Sequence, residues 1–178
     1  MVSSVFIGVG SNVRPEVNIP KALRLLMKSG CIDHASSCPV ALSTHYRTKA
    51  LNRENDPEFV NGVWMIRTHF SLRRIRSLLK RIETSCGRKR SSDPFDPRTI
   101  DLDILLFGET ADKGAKLPHP DIYRRPFVYV PLIELAPDLI PPGDKEKLAS
   151  VVDSSAGPMI VSPLTGLLQI ELTAGDVK

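Results

Sequence analysis

Short apolar runs alternate along the chain with breaks marked by glycine, proline and polar residues, and the period of each run decides the element it predicts. Val5 to Val9 is apolar and leads into Gly8-Val9-Gly10-Ser11-Asn12, the pattern of a buried strand feeding a tight turn. After Asn18, read as an N-cap with Pro20 in the first turn, Ile19, Ala22, Leu23, Leu26 and Met27 recur at helical spacing and stop near Gly30. Ser37 to Thr48 and Phe59 to Thr68 read as extended, joined through the polar stretch Lys49 to Asp56, and suggest an antiparallel pair with a long connection. Ser71 caps an amphipathic helix with Leu72, Ile75, Leu79, Ile82 and Cys86 on one stripe; Arg73, Arg76, Lys80 and Glu83 fall largely off it, and Gly87 closes it. An arginine-rich loop with Pro94 and Pro97 precedes a strand from Thr99 to Phe107, ended by Gly108. The order strand, helix, strand, strand, helix, strand predicts an α+β fold with a ferredoxin-like βαββαβ core, a three-layer α/β/α sandwich on a largely antiparallel sheet. Beyond it come a proline-punctuated segment from Leu117 to Pro142, a helix over Lys145 to Val152 and a further strand over Leu167 to Leu172.

Length and composition narrow the class without changing this outline. At 178 residues the chain is one domain of ordinary size, or one with a short appendage. Its first residues lack the basic and apolar regions of a secretory signal, and no apolar run reaches the ~18 to 20 residues that span a bilayer, so a cytoplasmic protein without a membrane partner is expected. Cys31, Cys38 and Cys86 are odd in number and lack Cys-x-x-Cys spacing, which favours small buried hydrophobes in a reducing compartment. Charge changes the picture more. Of 24 Lys and Arg and 20 Asp and Glu, nine basic and three acidic residues lie between Arg73 and Arg98, leaving the remainder net negative. A cationic excess confined to one segment suits a compact polyphosphate better than a long nucleic-acid track.

The strongest local signal for chemistry is Pro97-Arg98-Thr99-Ile100-Asp101-Leu102-Asp103-Ile104-Leu105-Leu106-Phe107-Gly108. Side chains alternate along a strand, so Asp101 and Asp103 share one face while Ile100, Leu102 and Ile104 point to the core. Two residues of strand rise separate the carboxylates by about 6.6 Å, where they repel by roughly 2.5 kcal/mol at an effective dielectric of about 20. A dication between them reverses the sign. Hard oxygen ligands without histidine or thiolate suit Mg²⁺, which fills its octahedron with waters and substrate phosphates. A hydrated acidic pair on a solvent-facing strand is the plain alternative. Gly87-Arg88-Lys89-Arg90 and Arg98 supply countercharge beside the pair, the layout expected of metal-assisted phosphoryl transfer. His119, held between Pro118 and Pro120, is a stiffly presented donor or merely a structural histidine; Phe59 and Asn61, on one strand face, either stack and read a flat heterocycle or pack conventionally.

These residues in this order resemble the 6-hydroxymethyl-7,8-dihydropterin pyrophosphokinase family. The resemblance runs from about Val5 to Pro142 and is carried by Gly10-Ser11-Asn12, Tyr46-Arg47-Thr48, Phe59-Val60-Asn61, Ile82-Glu83, Gly87 to Arg90, the stretch Pro97 to Gly108, Pro118-His119-Pro120 and Arg125-Pro126-Phe127 before Pro131-Leu132. It implies a folate-pathway transfer of pyrophosphate from ATP to the pterin hydroxyl, by in-line attack on the β-phosphorus with AMP leaving. It further implies that Asp101 and Asp103 hold two Mg²⁺ ions, with Asp101 also near the pterin. Arg88, Arg90, Arg98, His119 and Arg125 match positions at ATP and its phosphates, the three arginines Arg88, Arg90 and Arg98 being the catalytic ones. Glu83 matches a position at the nucleotide pocket, and Thr48, Phe59, Asn61 and Phe127 match pterin-site positions. A monomer with ATP and a small pterin as its partners, and no nucleic acid, is the implied assembly, with a pyrophosphokinase domain over residues 1–155 and an extension over 156–178. Catalysis so implied comes from alignment, charge and loop closure that excludes water.

This chain departs from the family pattern in its second loop, Lys49 to Asp56, which lacks the usual proline and glycine, and in its third, where Pro94-Phe95-Asp96 stands in place of an arginine, tryptophan and glycine. Lys80 stands where glutamine is usual, and the residues after Pro142 have no counterpart. The altered loops motivate a second reading, a degenerate homologue that binds pterin or nucleotide without turnover. A third, a nucleic-acid nucleotidyltransferase or nuclease, is disfavoured by the confined charge and by an aromatic content of only 6%.

Overall fold

In the computed structural model, which describes residues 1–49, 57–88, 97–152 and 160–164, the apolar alternation of the N-terminal run becomes β1 (Ser3–Ser11), the centre of the sheet. It is followed by α1 (Pro15–Met27), β2 (Val40–Leu42), β3 (His45–Thr48), β4 (Phe59–Thr68), α2 (Leu72–Ser85), β5 (Asp101–Phe107), a 3₁₀ turn at Pro120–Ile122, α3 (Pro126–Leu135), α4 (Leu148–Val151) and β6 (Ile160–Leu164). The strand order is β5-β1-β4-β3-β6, β2 also pairs with β4, and every pairing is antiparallel. The α+β, ferredoxin-like reading therefore holds, with β2 and β3 together forming the strand that follows α1.

One face of the sheet carries Val5, Ile7, Val9, Val60, Trp64, Ile66, Leu102 and Ile104 into a core with Ile19, Leu23 and Leu26 of α1 and Ile75, Leu79 and Ile82 of α2. The opposite face packs Val63, Leu105 and Leu106 against Val128 and Leu132 of α3 and Leu148 of α4. A register shift between Phe6 and Ile7 skips Leu105, so Leu105 and Leu106 both reach this second core, as a bulge that re-aims side chains allows. Three layers result, and the second core covers only part of its face. The uncovered part holds the candidate site.

Helix ends follow their local chemistry. Ser71 caps α2 by accepting the Arg74 N–H at 3.4 Å, and Gly87 leaves the helix at φ 85°, a left-handed conformation that favours glycine. Elsewhere the structure corrects the sequence reading. α1 begins at Pro15, whose ring is pre-organised for a first helical position, with Arg14 as its cap; Asn18 lies in the first turn and donates to the Val13 carbonyl at 2.6 Å. Gly8 and Gly10 lie within β1 and form no turn. β5 begins at Asp101, two residues later than expected, and α4 covers only part of the helix expected over 145–152. The run 37–48 is split at Ser43, which turns to exchange hydrogen bonds with Val63 through its backbone N–H and its hydroxyl. Cys31 and Cys86 are buried as expected, but Cys38 is exposed. The strand expected over 167–172 lies outside the described residues, whereas β6, antiparallel to β3, was not foreseen. No helix among the described residues is long and apolar enough to cross a membrane.

Beneath the site His45 is buried and accepts the Trp64 indole N–H at Nε2, 3.3 Å away. A Cβ on neighbouring Gly62 would stand 2.8 Å from the ring, so only glycine fits there. Burial lowers the His45 pKa to about 4, against a smaller opposing effect of a backbone hydrogen bond at Ser43. The native imidazole thus stays neutral where the unfolded one, titrating near 6.5, takes a proton. As pH falls through 6.5 toward 4 the unfolded chain binds the extra proton, and stability is expected to fall by about 3 kcal/mol over that window and then level off from this source. Urea unfolding at a series of pH values checks this: His45→Asn removes that share of the slope, and an unchanged slope contradicts it.

Candidate active site

The uncovered sheet face is a cavity of about 260 Å³ whose floor crosses β5, β1, β4 and β3. Its middle is glycine. Gly8 stands opposite Asp103 and Gly10 opposite Asp101 on β5, while Gly10 is also paired with Asn61 on β4. A Cβ at Gly10 would lie 2.9 Å from Asn61 Oδ1, and one at Gly8 would lie 3.2 Å from Leu105. The absent side chains therefore leave room between the acidic strand and the amide-bearing strand.

At one end Asp101 and Asp103 share the strand face predicted for them, with Leu102 and Ile104 buried behind. Arg88 Nη1 contacts Asp101 Oδ1 at 2.5 Å, and Arg98 Nη1 contacts Asp101 Oδ2. Asp103 makes no ion pair among the described residues and is open to solvent in the cavity, yet protein walls rise around it. Burial raises its pKa first and the Asp101 charge second, with His119, Arg88 and Arg98 opposing. The pair is thus electrostatically strained on the Asp103 side, as two like charges on one strand face require.

Behind the pair Glu83, expected on the polar side of α2, is buried. Its Oε1 accepts the Leu102 backbone N–H at 2.9 Å and also contacts Arg88. Burial raises its pKa, while the Leu102 N–H and Arg88 favour the carboxylate. Burial works against the Arg88 charge as well, but Asp101 and Glu83 outweigh it and hold the guanidinium firmly protonated. Gly10-Ser11-Asn12 acts as a brace for Arg98: Asn12 Oδ1 accepts the Arg98 N–H at 2.6 Å, the Asn12 and Val13 N–H groups donate to the Arg98 carbonyl, and Ser11 donates to the Thr99 carbonyl at 2.7 Å.

The wall above the acids comes from the 3₁₀ turn and the start of α3. His119 donates its backbone N–H to Leu105 O at 2.9 Å, and its Nδ1 accepts the Asp121 N–H at 3.3 Å, which leaves Nε2 as the ring's donor. Arg125 precedes α3 and lies 3.9 Å from Asp121, and Phe127 follows in the first turn. At the far end Asn61 Nδ2 donates to Thr48 Oγ1 at 2.8 Å; both are buried, and Phe59 stands opposite Thr48 across the strands.

Of the residues singled out from the sequence, Thr48, Phe59, Asn61, Arg98, Asp101, Asp103, His119, Arg125 and Phe127 line this one cavity. Glu83 and Arg88 do not line it; they sit behind Asp101. Arg90 lies outside the described residues, as does the stretch 94–96 of the third loop. Of the remaining cations in the basic segment, Arg73, Arg74, Lys80 and Arg81 face solvent on α2, Arg74 stacks 3.5 Å over the Phe70 ring, and Arg76 donates to the Ala115 carbonyl. Gly8, Gly10, Lys49 and Asp121 were missed as lining residues. The glycine pair was the available signal, since two glycines inside an apolar strand mark a close approach as well as they mark a turn.

Asp101 and Asp103 are the adjacent acidic pair of the cavity, with Asp121 on the wall beside His119 and Arg125; no group of three His, Cys, Asp or Glu that could hold a metal is gathered among the described residues. A metal held by these two hard oxygen donors would complete its shell with water and substrate oxygens, which fits Mg²⁺.

Comparison with known proteins agrees with this geometry. Residues 6–137 match the model of the 7,8-dihydro-6-hydroxymethylpterin-pyrophosphokinase family. The chain is 34% identical over 145 residues to the 2-amino-4-hydroxy-6-hydroxymethyldihydropteridine pyrophosphokinase of Haemophilus influenzae, covering 80% of this chain and 87% of that one. The protein of the same name from Pseudomonas aeruginosa is 37% identical over 142 residues, 78% of this chain and 84% of its own. A folate synthesis bifunctional protein of Arabidopsis thaliana is 34% identical over 134 residues, which are 74% of this chain and 26% of the plant protein. With the family model matched across the strands, helices and turns that build the cavity, the chain belongs to the 7,8-dihydro-6-hydroxymethylpterin-pyrophosphokinase family.

Proposed function

We propose that the chain transfers the pyrophosphoryl group of ATP to 6-hydroxymethyl-7,8-dihydropterin in folate biosynthesis, with the reaction centred on Asp101 and Asp103. The observation that carries the reading is one cavity in which Phe59, Asn61 and Thr48 form one wall, Phe127 reaches in from the start of α3, and the acidic pair Asp101 and Asp103 is accompanied by Arg98, His119 and Arg125. The pterin hydroxyl attacks the β-phosphorus, the bond to the α-phosphate oxygen breaks, AMP leaves, and the hydroxyl proton passes to solvent or to a carboxylate. Asp101 and Asp103 would hold two Mg²⁺ ions, which supply charge neutralisation of the phosphates and polarisation of the attacked group. Arg98, braced by Asn12, lines the cavity on Asp101 and would turn its donor fork to phosphate oxygens, with Arg88, held behind Asp101 by Glu83, as a second cation of the set in this reading. His119 Nε2 and Arg125 add donors from the opposite wall, and Arg90 belongs to the same set in this reading. In this reading the chain acts on small molecules as a monomer, in the cytoplasm, without a nucleic-acid or membrane partner. Residues 1–155 are assigned as the catalytic domain and 156–178 as an extension, of which β6 pairs with β3.

Purified chain given Mg·ATP and the reduced pterin is expected to release AMP, and to release none when either substrate is omitted. Calorimetric binding of pterin without AMP would favour the degenerate homologue instead. One substitution bears hardest on the heterocycle end, since its new methyl would crowd Asn61 and stand only in ordinary contact with Asp101 Cβ at 3.9 Å. Gly10→Ala puts a methyl 2.9 Å from Asn61 Oδ1 and should shift that amide, raising the pterin KM roughly tenfold, the worth of about one hydrogen bond, with the ATP KM within twofold. Parallel changes in both KM values would contradict the assignment of that wall.

A further inference from the structure

Glu134 is the one carboxylate of α3, seven residues and about 10 Å along the helix from Phe127, and it does not line the cavity. Both of its oxygens are engaged at the start of β3, one by a strand residue and one by the residue just before the strand. Oε1 accepts the Tyr46 hydroxyl, and Oε2 accepts the Thr44 backbone N–H at 2.9 Å. Tyr46 in turn is the cross-strand partner of Asn61, whose amide holds Thr48 at 2.8 Å. An unbroken series of contacts thus runs from the helix that carries Arg125 and Phe127 to the amide and hydroxyl of the opposite wall. No reaction-centre residue takes part in the Glu134 contacts.

We propose that Glu134 and Tyr46 are positioning residues for the heterocycle, a clasp between α3 and β3 that sets the gap between Phe127 and the Asn61–Thr48 wall. The inference rests on the pterin-binding reading above and deepens it. A flat ring gains from two walls only when both stay in contact with it, and a helix seated on the sheet by apolar side chains alone can slide. A charge-assisted bond and a backbone N–H on one carboxylate fix that slide in two directions. Burial, and then the Glu134 contact, push the Tyr46 pKa up to about 12, which keeps the phenol a donor at neutral pH.

The test uses the full chain with calorimetric titration of pterin and, separately, of Mg·ATP analogue, alongside melting temperatures and AMP release. Tyr46→Phe, which removes one oxygen, is expected to weaken pterin binding about five- to tenfold with nucleotide binding within twofold, the scale of one lost hydrogen bond to a charged group. Glu134→Ala should do the same, and the Tyr46→Phe/Glu134→Ala pair should be no worse than Glu134→Ala, because both remove one contact. Glu134→Gln, which keeps the shape and an acceptor, should recover part of the loss. Wild-type pterin affinity in these variants overturns the clasp, whether or not they melt lower, and so does an equal weakening of nucleotide. A wild-type chain that binds no pterin and releases no AMP overturns the pterin reading itself, and the clasp with it.

Discussion

Replacing Asp103 by asparagine is expected to lower turnover by at least about 10³-fold, some 4 kcal/mol of transition-state stabilisation, while leaving the fold intact. The two halves of that expectation have separate causes. Asp103 has no ion pair among the described residues to lose, and burial together with the Asp101 charge already disfavours its ionised form, so a neutral amide of the same shape relieves repulsion. Its melting temperature should match or exceed that of the parent chain without metal. On the proposed reading turnover falls because only one carboxylate would be left to hold Mg²⁺ against the phosphates. Asp101→Asn should be as inactive but should melt lower, since Arg88 and Arg98 both lose their carboxylate partner there. Steady-state AMP release and thermal melts of the two variants check this; a freely active Asp103→Asn protein would remove the acidic pair from the mechanism.

The second large effect is on stability. Trp64 is fully buried at the centre of the core between the sheet and the α1–α2 layer, and its indole N–H is donated to buried His45. Trp64→Ala should cost about 3–5 kcal/mol through the cavity it leaves, with the His45 acceptor orphaned in addition. Against a usual total of about 5–15 kcal/mol, that leaves the chain close to unfolding. Trp64 is the only tryptophan, so urea unfolding must be followed by circular dichroism rather than fluorescence. A loss below about 1 kcal/mol would mean that the core around it refills, contrary to the close packing described.

What was legible in the sequence was whatever depends on neighbours within a few residues. Strand alternation placed Asp101 and Asp103 on one face and Leu102 and Ile104 on the other, and helical spacing gave α2 with its Ser71 cap. Features set by distant partners were not legible. Glu83 reads as a surface residue of a basic helix, and only the Leu102 N–H, nineteen residues away, and Arg88 make its burial tolerable. α3 escaped notice because it is apolar around most of its circumference and carries prolines at its start and interior, so it shows neither a stripe nor an unbroken run. β6 contains Pro163, which argues against a central strand but is acceptable on the edge it occupies. The pterin itself was named by family resemblance. The residues alone pointed to a metal pair beside phosphates and left open whether Phe59 and Asn61 read a flat ring or pack conventionally.

The central claim is that two phosphoryl groups move together to the pterin. Phosphorus NMR of a complete reaction measures it most directly. The account predicts a diphosphate esterified to the pterin hydroxymethyl group and AMP in equal amount. ADP with a pterin monophosphate, or inorganic pyrophosphate with unmodified pterin, would contradict it.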